Sequence, residues 1–117
     1  MYKFEKLKVW DESLKLIKLV YSVIKELPLS ERYGLADQLR RSAISISLNL
    51  AEGCGTGTDK EFKFFLRISV KSQYETVAGL MIIKSLYSKI NIAKVLRQAE
   101  TVGKMLHGLI RSLSKNQ

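Results

Sequence analysis

Arg41, Ser45, Asn49 and Glu52 are separated by four, four and three residues, so a helix presents them as a single stripe. A guanidinium, a hydroxyl, an amide and a carboxylate in one row can hold another surface by charge-assisted hydrogen bonds, and Glu75 could join them from a facing helix. If the stripe is covered, each charge must meet a partner, because an unpaired buried ion is strongly destabilising. Arg41 with Glu75 across helices, or with Glu52 of a neighbouring copy, would satisfy that demand. Single buried polar groups fix register in coiled coils, so packing and register is the role expected of this stripe, with ligand binding as the alternative.

A second set is purely basic. Lys94, Arg97, Lys104, Arg111 and Lys115, with Thr101 and Gly108 between them, step by three and four along one ridge. Lys8, Lys15, Lys18 and Lys25 form a similar ridge, softened by Asp11. Such rows of ammonium and guanidinium groups suit the phosphates of nucleic acid. The plain alternative is a solvated face, since any amphipathic helix turns its charges to water. Against it stands the scarcity of acid: Glu100 is the only carboxylate side chain in residues 91–117. No aromatic platform stands among these basic residues, and Tyr21, Tyr74 and Tyr87 read as core or interface. Recognition of shape or backbone is therefore expected, of structured RNA or an RNA–DNA hybrid, with RNA favoured over DNA.

Catalysis has poor material. His107 is the only histidine and Cys54 the only cysteine, and nothing sets a serine or carboxylate beside His107. No catalytic residue is assigned, and the chain reads as non-enzymatic. One cysteine and one histidine give no metal-ligand spacing, and the Glu-x-x-His pairs of di-iron bundles are absent. Gly53-Cys54-Gly55-Thr56-Gly57 is no P-loop, because no lysine-serine pair follows it and no strand precedes it; it reads as a connector. No metal, cofactor or small-molecule substrate is expected.

A chain of 117 residues makes one domain. Its net charge of +9 is uneven: +2 over residues 1–27, zero over 28–57, +3 over 58–90 and +4 over 91–117. The neutral second segment is the natural one to bury, leaving the basic ones as outer faces. No uncharged run is long enough to span a bilayer, no signal-peptide pattern opens the chain, and a lone cysteine agrees with a reducing compartment. A cytoplasmic protein with no membrane contact is expected.

The elements that must position these residues are helices, expected over about 4–27, 31–52, 59–90 and 92–113. Leu7, Trp10, Leu14, Ile17, Tyr21 and Ile24 recur at helical spacing until Pro28 stops the first. Ser30 should cap the second, and Gly53 should end it in the left-handed conformation. Thr58-Asp59-Lys60-Glu61 fits a capping box for the third, in which Gly79 is the weak point unless close packing needs it. Asn91 should cap the fourth. Nothing alternates with period two, so no sheet is expected. Short connections make neighbours antiparallel, giving an all-α, antiparallel up-down-up-down four-helix bundle.

The run Tyr33-Gly34-Leu35-x-x-Gln38-Leu39-Arg40-Arg41-x-Ala43, then Asn49-Leu50-Ala51-Glu52-Gly53, Lys60-Glu61-Phe62 and Phe65-Leu66, resembles the four-helix-bundle family of 23S rRNA intervening-sequence proteins. The accessory variability determinants of diversity-generating retroelements are similar to that family. The likeness runs from Phe4-Glu5-Lys6-Leu7 and Trp10 to Gly108-Leu109-Ile110-Arg111-Ser112-Leu113. It implies a ring-shaped homo-oligomer, commonly a pentamer, with a basic surface suited to nucleic acid and no enzymatic activity. Two positions depart from the family pattern: Thr56 stands where an arginine is common, and Lys71 where glycine is usual before Ser72. An adaptor that turns its basic face to an acidic protein, such as a reverse transcriptase, is the alternative from a different class.

Overall fold

The computed structural model describes residues 1–115. Lys3–Lys6 form a 3-10 turn, Leu7 is extended, and four helices follow: α1 (Lys8–Glu26), α2 (Leu35–Cys54), α3 (Asp59–Leu86) and α4 (Ala93–Ser114). Each helix packs on its chain neighbours and α1 closes against α4, which gives the expected four-helix bundle with no strand among the described residues. The molecule is 46 Å long and 22 by 20 Å across, close to the length of α3 alone at about 1.5 Å per residue. Leu16 and Val20, Leu39, Ile46 and Leu50, Leu66, Leu80 and Ile83, and Val102 and Leu106 bring one apolar stripe per helix into a common core.

Helix ends follow local chemistry, in places other than the sequence suggests. Leu27 leaves the helix with ψ 146° in front of Pro28, as the steric conflict before proline demands. Ser30, however, caps nothing. It lies in a second 3-10 turn, Leu29–Glu31, and α2 starts only at Leu35 behind Gly34. Gly53 is likewise not a left-handed cap: α2 continues through it to Cys54, and no described residue has positive φ. Its reason is packing, since an added Cβ would stand 2.9 Å from both Phe62 Cδ1 and Phe65 Cβ. Thr58 caps α3, its hydroxyl oxygen accepting from the Glu61 amide at 3.1 Å, but the box is not reciprocal: Glu61 Oε1 accepts from the Thr58 hydroxyl at 3.2 Å and not from its amide. The helix ends at Leu86 rather than near residue 90, and Lys84 Nζ then donates to the Ser88 carbonyl at 2.7 Å inside the connector. Asn91 serves α4 from one residue outside the cap, accepting from the Ala93 amide at 2.9 Å.

The α2/α3 seam is a ladder of small polar groups. Ser42 and Thr76 hydroxyls meet at 2.9 Å, Ser72 donates to Ser45 Oγ at 2.9 Å, and Ser69 donates to the Ile46 carbonyl at 2.9 Å. As α2 numbers rise α3 numbers fall, so the two run antiparallel. Gly79 sits at a close approach of the two helices, with Leu39 Cδ1 at 3.3 Å from where a Cβ would stand. Ser47 donates to Ser13 Oγ at 2.8 Å and ties α2 to α1.

Candidate nucleic-acid interface

Periodicity decides where the basic residues point. The buried residues of α4 are Val95, Ala99, Val102, Gly103 and Leu106, and the ridge Lys94, Arg97, Lys104, Arg111 and Lys115 lies opposite them, exposed throughout. On α1, Val9, Ser13, Leu16, Val20 and Val23 are buried and Lys8, Lys15, Lys18 and Lys25 are exposed. The two helices are neighbours, tied by Gln98 Nε2 donating to the Glu12 carbonyl at 2.8 Å. Lys8 and Lys15 share a helical face with Glu12, and Lys94 shares one with Gln98, so these three border a single α1/α4 seam. Lys18 and Lys25 turn further outward.

The charges are largely unneutralised. Among the described residues the ion pairs are Lys15–Glu12 at 2.8 Å and Arg40–Asp37 at 2.9 Å, so Lys15 alone of the nine ridge cations is paired. That contact holds the Glu12 carboxyl below its usual range and the Lys15 ammonium above its own. The pair is exposed on the lysine side, so it dampens one charge and leaves the ridge intact.

The polar stripe of α2 lands on the opposite side of the molecule, beside α3. Asn49 Nδ2 donates to the Ser45 carbonyl at 2.9 Å and to Ser45 Oγ at 3.0 Å, both within α2, and Ser72 of α3 donates to Ser45, so Ser45 is the member of the stripe bonded across the seam. The expected Arg41–Glu75 pair does not form. Gln38 Nε2 takes Glu75 Oε2 instead, at 2.7 Å, because Gln38 faces α3 while Arg41 is turned away. Arg41 and Glu52 are exposed and make no ion pair among the described residues. Leu48 beside them is 61% exposed, and on α3 Phe64 and Ile82 are 59% and 48% exposed. Phe64, Lys71, Glu75 and Ile82, spaced seven, four and seven, share one outer stripe, so Lys71 belongs to this face.

Sequence reasoning missed a groove between α3 and α4. It has a volume of about 340 Å³ and is walled by Val77, Met81 and Leu96, with Tyr74, Glu100, Lys104 and His107 around it. Tyr74 is neither core nor interface within the chain, being 67% exposed, and it stands in one groove with Lys104 of the basic ridge. The expectation that no aromatic stands among the basic residues is thereby corrected. The three and four spacing of Val70, Tyr74, Val77 and Met81 was the available signal, masked by the stronger apolar row of α3. Tyr87 does behave as an interior contact, its hydroxyl donating to Glu31 Oε2 at 2.6 Å. Cys54 is buried, and desolvation pushes its thiol up. Among the described residues no group of acidic, histidine and cysteine side chains could hold a metal ion, and no helix is long and apolar enough to cross a membrane.

Residues 5–108 match the family model described as 23S rRNA-intervening sequence protein. The bundle is similar to the crystal structure of a protein of unknown function from the S23 ribosomal protein family of Bacteroides thetaiotaomicron VPI-5482, with a TM-score of 0.62 and 22% identity over 90% of this chain and 94% of that one. No curated protein matches the chain.

Proposed function

The chain belongs to the family of 23S rRNA-intervening sequence proteins, and from that membership we propose a non-enzymatic protein that assembles into a homo-oligomeric ring, a pentamer, and binds structured RNA through the outer faces of α1 and α4. The carrying observation is the set of nine exposed cations on two neighbouring helices, of which Lys15 alone is paired among the described residues. Desolvating a lysine row against protein would be costly, whereas phosphates neutralise it and release counterions. The outer α2/α3 face supports assembly: exposed Leu48, Phe64 and Ile82 lie among Arg41, Glu52 and Glu75, which can pair across copies. Five copies at +9 each carry about 45 formal positive charges, so binding should be tight at low salt.

Light scattering and a salt titration test the proposal together. The mass should be several times 13.3 kDa, and affinity for a structured RNA should fall by roughly a hundredfold between about 50 and 200 mM salt for every four phosphates neutralised. Lys104→Glu with Arg111→Glu should weaken binding and leave the assembly intact. Unchanged affinity in a folded double variant would reduce the ridge to a solvated face. Tight binding to an acidic protein with only weak RNA binding would instead support the adaptor reading.

A further inference from the structure

The groove between α3 and α4 holds a buried polar atom with no partner. Gln73 is 7% exposed, and its Nε2 donates to the Ala99 carbonyl at 3.0 Å. Its Oε1 is the buried side-chain oxygen without a hydrogen-bond partner among the described residues. Gly103 makes the placement possible, because a Cβ there would stand 2.7 Å from Gln73 Nε2. The glycine opposite thus leaves room for an amide whose acceptor is unused, and burying such an acceptor is costly unless a donor reaches it.

The surroundings narrow the donor's chemistry. Val77, Met81 and Leu96 offer apolar area, Tyr74 offers an exposed aromatic face, and Lys104 adds a cation at the edge, with the Glu100 carboxylate and His107 also lining the groove. A flat, largely apolar group with an N–H edge and a nearby negative charge answers all of these at once. The geometry points to a binding site for one unpaired nucleobase, stacked on Tyr74 with its N–H edge toward Gln73 and its phosphate on Lys104. Every base has a π-face and at least one donor when unpaired, and proteins hold splayed-out bases on aromatic side chains in this way. Lys104 belongs both to this groove and to the α4 ridge, so a strand lying on the ridge can deliver a base without leaving it. That continuity selects a nucleic-acid strand over a free planar metabolite. The inference rests on the RNA reading above and adds to it that paired and unpaired strands are distinguished.

A ten-nucleotide RNA carrying 2-aminopurine, offered single-stranded or fully paired, tests it by fluorescence and affinity on the assembled protein. The single strand should bind more tightly and its fluorescence should be quenched. Tyr74→Ala should weaken single-strand binding roughly five- to hundredfold, the range for one lost base stack, and leave duplex binding unchanged. Tyr74→Phe should restore both affinity and quenching, which a merely structural role at this exposed position would not require. Normal duplex binding with no effect of Tyr74→Ala on the single strand would overturn the base site and spare the RNA reading. Failure of the wild-type protein to bind either RNA at low salt would overturn both. Tighter binding of free AMP or GMP than of the oligonucleotide would overturn the assignment to a strand.

Discussion

Replacing Gly53 by alanine sets two opposed effects against each other near the end of α2. Alanine is favoured over glycine in a helix by about 1 kcal/mol, which by itself would stabilise the protein. The added Cβ would lie 2.9 Å from Phe62 Cδ1 and 2.9 Å from Phe65 Cβ, closer than carbon atoms pack. Phe62 is buried, and Phe65 is blocked at the root of its side chain, so neither can move away without shifting α3. Overpacking of this kind costs about 1–3 kcal/mol, and it should exceed the gain because Gly53 is the penultimate residue of its helix, where propensity counts for less. The expected net loss is about 1–2 kcal/mol, or a fall of about 4–8 °C in Tm for a domain of this size. Gly108→Ala is the control. Its Cβ would meet only Arg111 Nη2, at 3.7 Å, so the helix gain should survive and Tm should rise. Circular dichroism melts at one fixed protein concentration compare the two, since assembly would make Tm depend on concentration. A Gly53→Ala protein that melts at or above the wild-type temperature would refute the claim that bare backbone at residue 53 sets the α2/α3 distance.

The Ser13–Ser47 contact should be asymmetric, because Ser13 Oγ donates to the Trp10 carbonyl at 2.7 Å while Ser47 relies on Ser13 at 2.8 Å. Ser13→Ala should therefore cost more than Ser47→Ala, by about 1–3 kcal/mol in urea unfolding, and the double variant less than the sum; strict additivity would contradict this. Tyr87→Phe should give a pH-dependent defect. The phenol is pushed above its ordinary value, first by its hydrogen bond to Glu31 and then by burial, so the bond contributes below about pH 10 and is lost as pH rises through the folded value. The urea midpoints of variant and wild type should differ at pH 8 and converge in strongly alkaline buffer; a constant gap would refute the linkage.

Much of the exposed basic face is legible in the sequence because helical spacing is a local property. Lys94, Arg97, Lys104, Arg111 and Lys115 had to share a face once α4 was a helix, and all five are exposed there. Ser45 meets Ser72 across the α2/α3 seam while Asn49 bonds within α2, and the Glu75 expected for Arg41 is held by Gln38. Which of Gln38 and Arg41 reaches Glu75 depends on how α2 is rotated about its axis, and one residue changes that by about 100°. Tyr74 is exposed and not core for a related reason. Its spacing fits a second apolar row, and only the α3/α4 packing distance shows that the row borders an open groove instead of the core.

The sequence by itself determined the four helices, the side of each that is apolar, and the gathering of positive charge on the first, third and fourth. These follow from backbone hydrogen bonding within four residues and from the apolar pattern, which need no knowledge of distant chain. Tertiary structure alone decided that Gly53 is a contact and not a cap, that Gln73 faces Gly103 with an oxygen unpaired among the described residues, and that Lys8, Lys15 and Lys94 border one seam between α1 and α4. Those outcomes are set by interhelical distance and rotation, which arise from the summed packing of all four helices and are written in no single stretch of residues.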